Sequence, residues 1–282
     1  MYLYADPHRY TLPRFAAKNF LDAIRAVKSF EPVSDQTDIK IDADNIIMAG
    51  NSQGGAVSLI TLEIAPVYAP EIEFSLAIGI APSSDSLSHL QTMVTYLNDN
   101  GSHGQIGLVS ISFYAVAEEE GRLEEFDKIF HDRVNLRHLV SRECGPYLHE
   151  ALKSVKFLDD FMRRASTNDW DGTVWRSWFN KRNLGNFKTK TPIIIINGGN
   201  DYIVGSIETD DLYSGLKSNG NDVDKVLSPE ADHGNLSIFA DYLIFKAIET
   251  GFFRKGISVT KKIDLSGFNN NGFTFRMESS SN

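Results

Sequence analysis

Three short apolar runs, at Asn45–Gly50, Phe74–Pro82 and Pro192–Gly198, constrain the fold of this chain most strongly. Each run is apolar at consecutive positions, which is typical of a strand that is buried on both faces. Segments with helical spacing alternate with these runs at residues 12–30, 53–65, 206–217 and 235–250, and a fourth strand is expected at 223–227. The pattern predicts an α/β fold with a mostly parallel sheet and helices on both faces. The second helix is expected to end before Pro66.

Composition and charge narrow the class of protein. The chain has 282 residues, enough for one large domain or two small ones, and its 18 Phe, 10 Tyr and 3 Trp exclude disorder of the whole chain. The apolar runs fall short of the roughly 20 residues that span a bilayer. A net charge of −9 disfavours nucleic acid as a partner. The single cysteine, Cys144, has no second thiol for a disulfide or a Cys-x-x-Cys site.

Residues 83–189 separate the second apolar run from the third, whereas a crossover between parallel strands needs only about a dozen residues. We therefore expect an inserted helical subdomain. The predicted domains are a first part of the core at 1–82, the insertion at 83–189, a second part of the core at 190–256, and a tail at 257–282. Within the tail, Asn269–Gly272 indicates a loop and Ser279–Asn282 a frayed end. Trp170, Trp175 and Trp178 lie late in the insertion and either pack it onto the sheet or line an acyl pocket.

A candidate nucleophile lies at the first strand-to-helix junction. Ser52 is the central residue of a G-x-S-x-G motif, which places a reactive serine on a tight turn between a strand and a helix. Gly50 and Gly54 flank the serine, and both positions are expected to require a small residue for steric reasons. Gly55 is expected to let the following helix pack closely. The backbone N–H of Gln53 could then stabilise an oxyanion. The alternative is a glycine-rich turn that contains a serine by chance.

A reactive serine needs a base, and the base needs an acid that fixes its tautomer. His233 is the histidine that follows the third strand, in a loop just before a helix. Of the other histidines, His8 precedes the serine and His89, His103, His131, His138 and His149 fall in the insertion. The order serine, acid, histidine is the one this fold class uses.

Asp201 is the candidate acid, because it follows the third strand at the carboxyl edge of the sheet, where open α/β folds bind ligands. Asp232 is adjacent to His233, and neighbouring side chains in a loop rarely bond well to each other. Asp210 and Asp211 fall in a predicted helix and are expected on the surface.

Four segments carry a family resemblance: Leu21–Ala26, Asp44–Gly55, Ala65–Glu71 and Ile78–Pro82. Over residues 7–250 the chain resembles the secretory lipase family of α/β-hydrolases. The resemblance implies that Ser52 is the nucleophile, Asp201 the acid and His233 the base. It also implies that residues 83–189 form a lid between the sixth and seventh strands of the fold. The implied activity is carboxylic ester hydrolysis without a metal or an organic cofactor.

The start of the chain departs from this family. Members have strands before the first helix, and a loop after one of them supplies a second oxyanion donor, so we expect these N-terminal strands to be missing here. Their loss would expose an apolar edge beside the nucleophile strand, across which two copies could pair. Met1–Pro7 has no features of a signal peptide. Localisation therefore stays open: the resemblance implies a secreted or periplasmic protein if a signal-bearing N-terminus is missing, and the protein is expected to be cytoplasmic otherwise.

Three alternatives stay open. An acyltransferase or a peptidase would use the same triad, and a non-catalytic relative would bind a ligand or partner instead. Metal chemistry through His131, His138, Cys144 and His149 fits no common zinc spacing. For the hydrolase, the aromatic residues between positions 113 and 179 favour a small-molecule ester with an apolar acyl group.

Overall fold

The structure is a computed structural model. It describes residues 12–29, 45–84, 90, 93–94, 103–130, 136–142, 152, 162, 173–238, 240–241, 244 and 276–278. The chain divides into two compact units. The helical unit comprises residues 1–12 and 85–183, and the sheet unit comprises residues 13–84 and 184–282. The assignment of residues 83–189 as a lid stays a prediction.

The helices and strands follow the predicted alternation. In chain order they are α1 (Pro13–Lys28), β1 (Ile46–Asn51), α2 (Gln53–Tyr68), β2 (Phe74–Ile80), α3 (His103–Glu119), α4 (Leu123–Ile129), α5 (Leu136–Arg142), α6 (Val174–Asn180), β3 (Ile193–Gly198), α7 (Ser206–Ser218), β4 (Val223–Ser228) and β5 (Arg276–Glu278). The spatial order of the sheet is β1-β2-β3-β4-β5. The first four strands are parallel and β5 is antiparallel to β4, so the predicted mostly parallel sheet is confirmed.

The sheet is buried on both faces because its strands are apolar at successive positions. In β3, Ile193 and Ile195 face a core that includes residues of α1, α2 and α7. Ile194 and Ile196 face a second core, on the other side, that includes the segments after β3 and β4. All four side chains are at most 1% exposed. Each buried isoleucine stabilises the fold by about 1.5–3 kcal/mol relative to an exposed one.

The predicted end of α2 before Pro66 is wrong, since the helix continues to Tyr68. A proline in the last turn removes one backbone donor from the helix. The bond at the end of the helix is kept, because the N–H of Ala69 donates to the carbonyl of Ala65 at 2.8 Å. Leu62 and Ala65 are also buried in the core of the sheet unit. Tertiary packing therefore holds the last turn in place.

Residues 276–278 of the predicted tail form a strand, whereas the loop predicted at 269–272 and the frayed end predicted at 279–282 lie outside the described residues. Arg276–Glu278 forms β5, with Val226 of β4 opposite Met277. A strand at the edge of a sheet has unpaired backbone donors and acceptors, and β5 pairs with them. For the helix predicted at 235–250, residues 236–238, 240–241 and 244 are helical, and residue 235 lies in a turn. Residues 239, 242–243 and 245–250 lie outside the described residues.

The C-terminal end of α2 is fixed to α1 by one arginine. Arg25 donates to Glu71 at 2.6 Å and to the carbonyl of Tyr68 at 2.7 Å, and the Tyr68 hydroxyl donates to Asp22 at 2.8 Å. The hydrogen bond from Arg25 lowers the pKa of Glu71. These contacts hold the helix whose other end begins at the candidate nucleophile.

The helical unit has an aromatic core of its own. Phe113 is fully buried and makes edge-to-face contacts with Trp175 and Phe179, at centroid distances of 4.7 and 5.4 Å. Trp175 and Trp178 are 3% and 7% exposed and belong to this core, whereas Trp170 lies outside the described residues. The two described tryptophans thus have a structural role within their own unit. In the part of the chain that the structure describes, helices of the length and apolarity needed to cross a membrane are absent.

Two isoleucine substitutions test the burial of Ile194 in β3, with Ile207 of α7 as the exposed control. We expect Ile194→Ala to lower the free energy of unfolding by about 2–5 kcal/mol, because it leaves a cavity between packed elements. The same substitution at Ile207, which is 76% exposed, should change it by no more than about 0.5 kcal/mol. Urea unfolding measures both values. Equal losses in the two variants would contradict the burial of Ile194.

Candidate active site

The predicted site residues follow the carboxyl ends of three strands. Ser52 follows β1, Asp201 follows β3 and His233 follows β4. Because β1 to β4 are parallel, these ends lie at one edge of the sheet, where ligands bind in open α/β folds. All three residues belong to the sheet unit.

Ser52 has a strained backbone, with φ of 56° and ψ of −118°. Such a conformation costs a residue other than glycine about 1–3 kcal/mol and is most often found at functional sites. The neighbouring strand holds it, because the N–H of Ser52 donates to the carbonyl of Ile80 at 2.7 Å. The carbonyl of Ser52 accepts from Ala56 at 3.1 Å and from Ser83 at 3.4 Å. The serine is therefore fixed by both α2 and the end of β2.

Close backbone approach explains two of the three glycines in the predicted motif. A Cβ atom at Gly50 would lie 2.2 Å from the carbonyl oxygen of Gly54, and one at Gly55 would lie 2.9 Å from that of Ile80. A Cβ atom at Gly54 would meet no described atom within 4 Å. The steric reason for a small residue therefore holds at positions 50 and 55, but it does not hold at position 54.

Asp201 and His233 form a hydrogen-bonded pair. The Oδ2 atom of Asp201 lies 2.7 Å from Nδ1 of His233. The other oxygen, Oδ1, accepts from the backbone N–H groups of Ile203 at 2.9 Å and Val204 at 2.8 Å. The aspartate side chain is fully buried, and the histidine side chain is 18% exposed. A carboxylate at Nδ1 favours the tautomer with the proton on that atom, which leaves Nε2 as an acceptor.

The loops that carry the acid and the histidine are in direct backbone contact. Cβ atoms at Gly198 and Gly199 would lie 2.4 Å from the carbonyl oxygens of Ala231 and Pro229, respectively. The N–H of Asn200 donates to the carbonyl of Ala231 at 3.0 Å. Larger residues at either glycine would force the two loops apart. The distance between Asp201 and His233 depends on this contact.

The buried side-chain amide of Asn197 stabilises the loop that carries Asp201. Asn197 is 1% exposed, and its Nδ2 donates to Oγ1 of Thr209 at 3.0 Å and to the carbonyl of Val204 at 3.4 Å. These bonds connect the end of β3 to α7 and to the turn that carries Asp201. Sequence reasoning missed Asn197, although a polar residue directly after four isoleucines was a visible signal.

The other carboxylates near the site have different partners. Asp232 accepts hydrogen bonds from the backbone of the two residues after His233. Asp210 lies on α7 and pairs with Lys225 at 2.6 Å, and Asp211 is exposed on the same helix. Gln53 is the first residue of α2, where N–H groups lack partners within the helix, and its role at an oxyanion stays a prediction.

Of the four residues considered for a metal site, the structure describes one, His138. In the described part of the chain, groups of three or more His, Cys, Asp or Glu that could hold a metal ion are absent. His138 is exposed on α5, whereas His131, Cys144 and His149 lie outside the described residues.

The fold is that of the α/β-hydrolases. The structure of the rice cell wall degrading esterase LipA from Xanthomonas oryzae matches with a TM-score of 0.63 and 17% identity, over 88% of this chain and 65% of that chain. Lipase A from Candida antarctica matches with a TM-score of 0.66 and 16% identity, over 89% of this chain and 57% of that chain. The chain thus spans less than two thirds of the length of either structure.

The sequence gives a closer assignment than these fold matches. The sequence profile of the family described as secretory lipase matches residues 4–233, which include all three predicted site residues. The chain belongs to the secretory lipase family. Among curated proteins, none matches the chain.

A matched pair of glycine substitutions tests the geometry of the turn. We expect Gly50→Ala to lower the free energy of unfolding by about 1–3 kcal/mol, because the new methyl group overlaps the Gly54 carbonyl. Gly54→Ala should keep that free energy or raise it by up to about 1 kcal/mol, since alanine favours a helix over glycine. Thermal and urea unfolding provide the measurement. A larger loss at position 54 than at position 50 would contradict the described turn.

Proposed function

We propose that this chain is a serine hydrolase of carboxylic esters, of the lipase or esterase type. Ser52 is the nucleophile, His233 the general base and Asp201 the acid that orients it. The observation that carries the proposal is the 2.7 Å hydrogen bond between Asp201 and His233, at the sheet edge where the strained Ser52 also lies. Membership of the secretory lipase family supports an ester as substrate and a secreted protein as its context.

In the first half of the proposed reaction, Nε2 of His233 takes the proton of the Ser52 hydroxyl while Oγ attacks the ester carbonyl carbon. The negative charge on the carbonyl oxygen is stabilised by the backbone N–H of Gln53. The carbon–oxygen bond to the alcohol then breaks, and His233 gives its proton to the leaving alkoxide. The alcohol departs, and Ser52 carries the acyl group.

In the second half, water takes the place of the alcohol. His233 removes a proton from the water molecule, whose oxygen attacks the acyl carbon, and the bond to Oγ breaks as the proton passes to Ser52. Asp201 stays ionised throughout and stabilises the imidazolium that forms twice. Its buried carboxylate is suited to this role, because two backbone N–H groups hold the oxygen that does not face His233.

Two alternatives use the same site differently. An acyltransferase or a peptidase would follow the same steps with another acceptor or leaving group, since acceptor choice depends on the shape of the pocket. A non-catalytic relative would bind a ligand without reaction at Ser52. The strain at Ser52 favours a catalytic role, because a binding function gives no reason to keep that conformation.

Reaction with a fluorophosphonate tests the proposed nucleophile. The folded parent should gain one adduct by intact mass, and Ser52→Ala should gain none. Asp201→Asn should still fold but react about 10⁴-fold more slowly, because the amide no longer favours the required histidine tautomer. Rates of adduct formation by mass spectrometry provide the comparison.

The outcome separates the alternatives. A folded parent without an adduct would contradict the proposed hydrolase activity and favour the non-catalytic, ligand-binding alternative. An adduct that persists in Ser52→Ala would assign the nucleophile to another residue.

The acyl preference is a further part of the proposal. We expect hydrolysis of p-nitrophenyl esters to rise from acetyl to medium acyl chains, because each buried CH₂ group contributes about 0.8 kcal/mol to binding. The measurement is kcat/KM across the series, with Ser52→Ala as the blank. A flat or acetyl-biased profile would contradict an apolar acyl pocket.

A further inference from the structure

His233 lies inside a closed set of hydrogen bonds between Asp232, which precedes it, and Asn235, which follows it by two residues. The N–H of Asp232 donates to Oδ1 of Asn235 at 2.9 Å. In return, Oδ1 of Asp232 accepts from the N–H groups of Gly234 and Asn235, both at 2.9 Å. The carbonyl of Asp232 accepts from Leu236 at 3.1 Å. This arrangement is a capping box that starts the helical turn after β4, with His233 at its first position.

The box fixes the backbone of His233 from both sides. Asp232 precedes the histidine and Asn235 follows it by two residues, so the reciprocal bonds restrict the backbone angles of the residue between them. A histidine side chain has two rotatable bonds, and the direction of the first is set by the backbone. The box therefore decides where the imidazole ring can reach.

The acid cannot follow a displaced histidine. Asp201 is fully buried, and its Oδ1 is held by the N–H groups of Ile203 and Val204. Its Oδ2 therefore has one position, and Nδ1 of His233 must come to it. A histidine held loosely by its own loop would lose the 2.7 Å contact, since nothing on the acid side compensates.

We propose that Asp232 and Asn235 are positioning residues that hold His233 against Asp201 without touching the substrate. Asp232 acts as a hydrogen-bond acceptor and not through its charge, because it is exposed and its charge is screened by water and salt. The expected effect on activity rests on the proposed function. The expected effect on the Asp201–His233 hydrogen bond does not.

The test compares three variants of the full chain: Asp232→Ala, Asp232→Asn and Asn235→Ala. Asparagine keeps the Oδ1 acceptor and loses the charge, whereas alanine removes both. The matched control is Asp211→Ala, which removes an exposed carboxylate on α7. Folding of each variant is checked by far-UV circular dichroism and urea unfolding.

Two readouts are measured. The first is the downfield proton signal of the hydrogen-bonded Nδ1–H of His233, assigned by its loss in His233→Gln. We expect Asp232→Ala to broaden or abolish this signal, and Asp232→Asn to retain it. The second readout is the rate of fluorophosphonate labelling at Ser52. It should fall about 100-fold in Asp232→Ala, as expected when a reacting group is displaced by about 1 Å, and recover most of its value in Asp232→Asn.

Ester hydrolysis should separate positioning from binding. A residue that acts through His233 lowers kcat and leaves KM nearly unchanged, because it does not contact the substrate. Asn235→Ala removes one bond of the box and should give a smaller loss in the same direction. It also serves as the test variant if Asp232→Ala does not fold.

Each outcome decides the proposal. An unchanged Nδ1–H signal and labelling rate in folded Asp232→Ala would overturn it, and so would an Asp232→Asn variant as impaired as Asp232→Ala, since that result would assign the effect to charge. A parent that is not labelled at all would contradict the proposed function. The Nδ1–H signal would still decide the role of Asp232 in that case.

Discussion

The candidate site depends on backbone hydrogen bonds that continue beyond the ends of the parallel strands. Within a ladder such bonds set the register of neighbouring strands, and past the strand ends they set the positions of the loops. Three of them connect the functional edge from β1 to β4: Ser52 N–H to the Ile80 carbonyl, Ala81 N–H to the Ile196 carbonyl, and Gly199 N–H to the Ser228 carbonyl. These bonds fix the relative positions of residues that are far apart in sequence, and the side chains of an active site need such fixed positions.

Two features of this sheet edge are unfavourable in free energy, and contacts with neighbouring residues offset them. The backbone of Ser52 is strained, and the buried carboxylate of Asp201 has lost its hydration. Contacts from two elements hold the serine, and two backbone N–H groups together with His233 satisfy the carboxylate. Removal of one partner of such a buried group leaves an unsatisfied charge, which costs more than the bond itself contributes. Each of these three contacts to Asp201 is therefore needed to stabilise its buried carboxylate.

Local signals made much of this fold predictable, and tertiary contacts explain the rest. The four isoleucines of β3 and the glycines around Ser52 are properties of short segments, so periodicity and turn chemistry were sufficient. The helix through Pro66 and the pairing of β5 depend on packing and on a strand edge distant in sequence. The pair of Asp201 with His233 was expected from their order in the chain. The hydrogen bonds by which Asn197 supports the Asp201 loop were not expected, because its partners lie on α7 and in the turn after β3.

The division into two units places the candidate site and the aromatic cluster around Phe113 in different units. The proposed nucleophile, base and acid all belong to the sheet unit, although residues 85–183 interrupt that unit in sequence. The helical unit is organised around Phe113, Trp175 and Phe179, which contact one another in a core of their own. Each unit thus has its own buried apolar residues, so sequence changes in the aromatic core act first on the stability of the helical unit. The geometry of Asp201 and His233 follows from the strands and loops of the sheet unit, in which the two residues are hydrogen-bonded to each other.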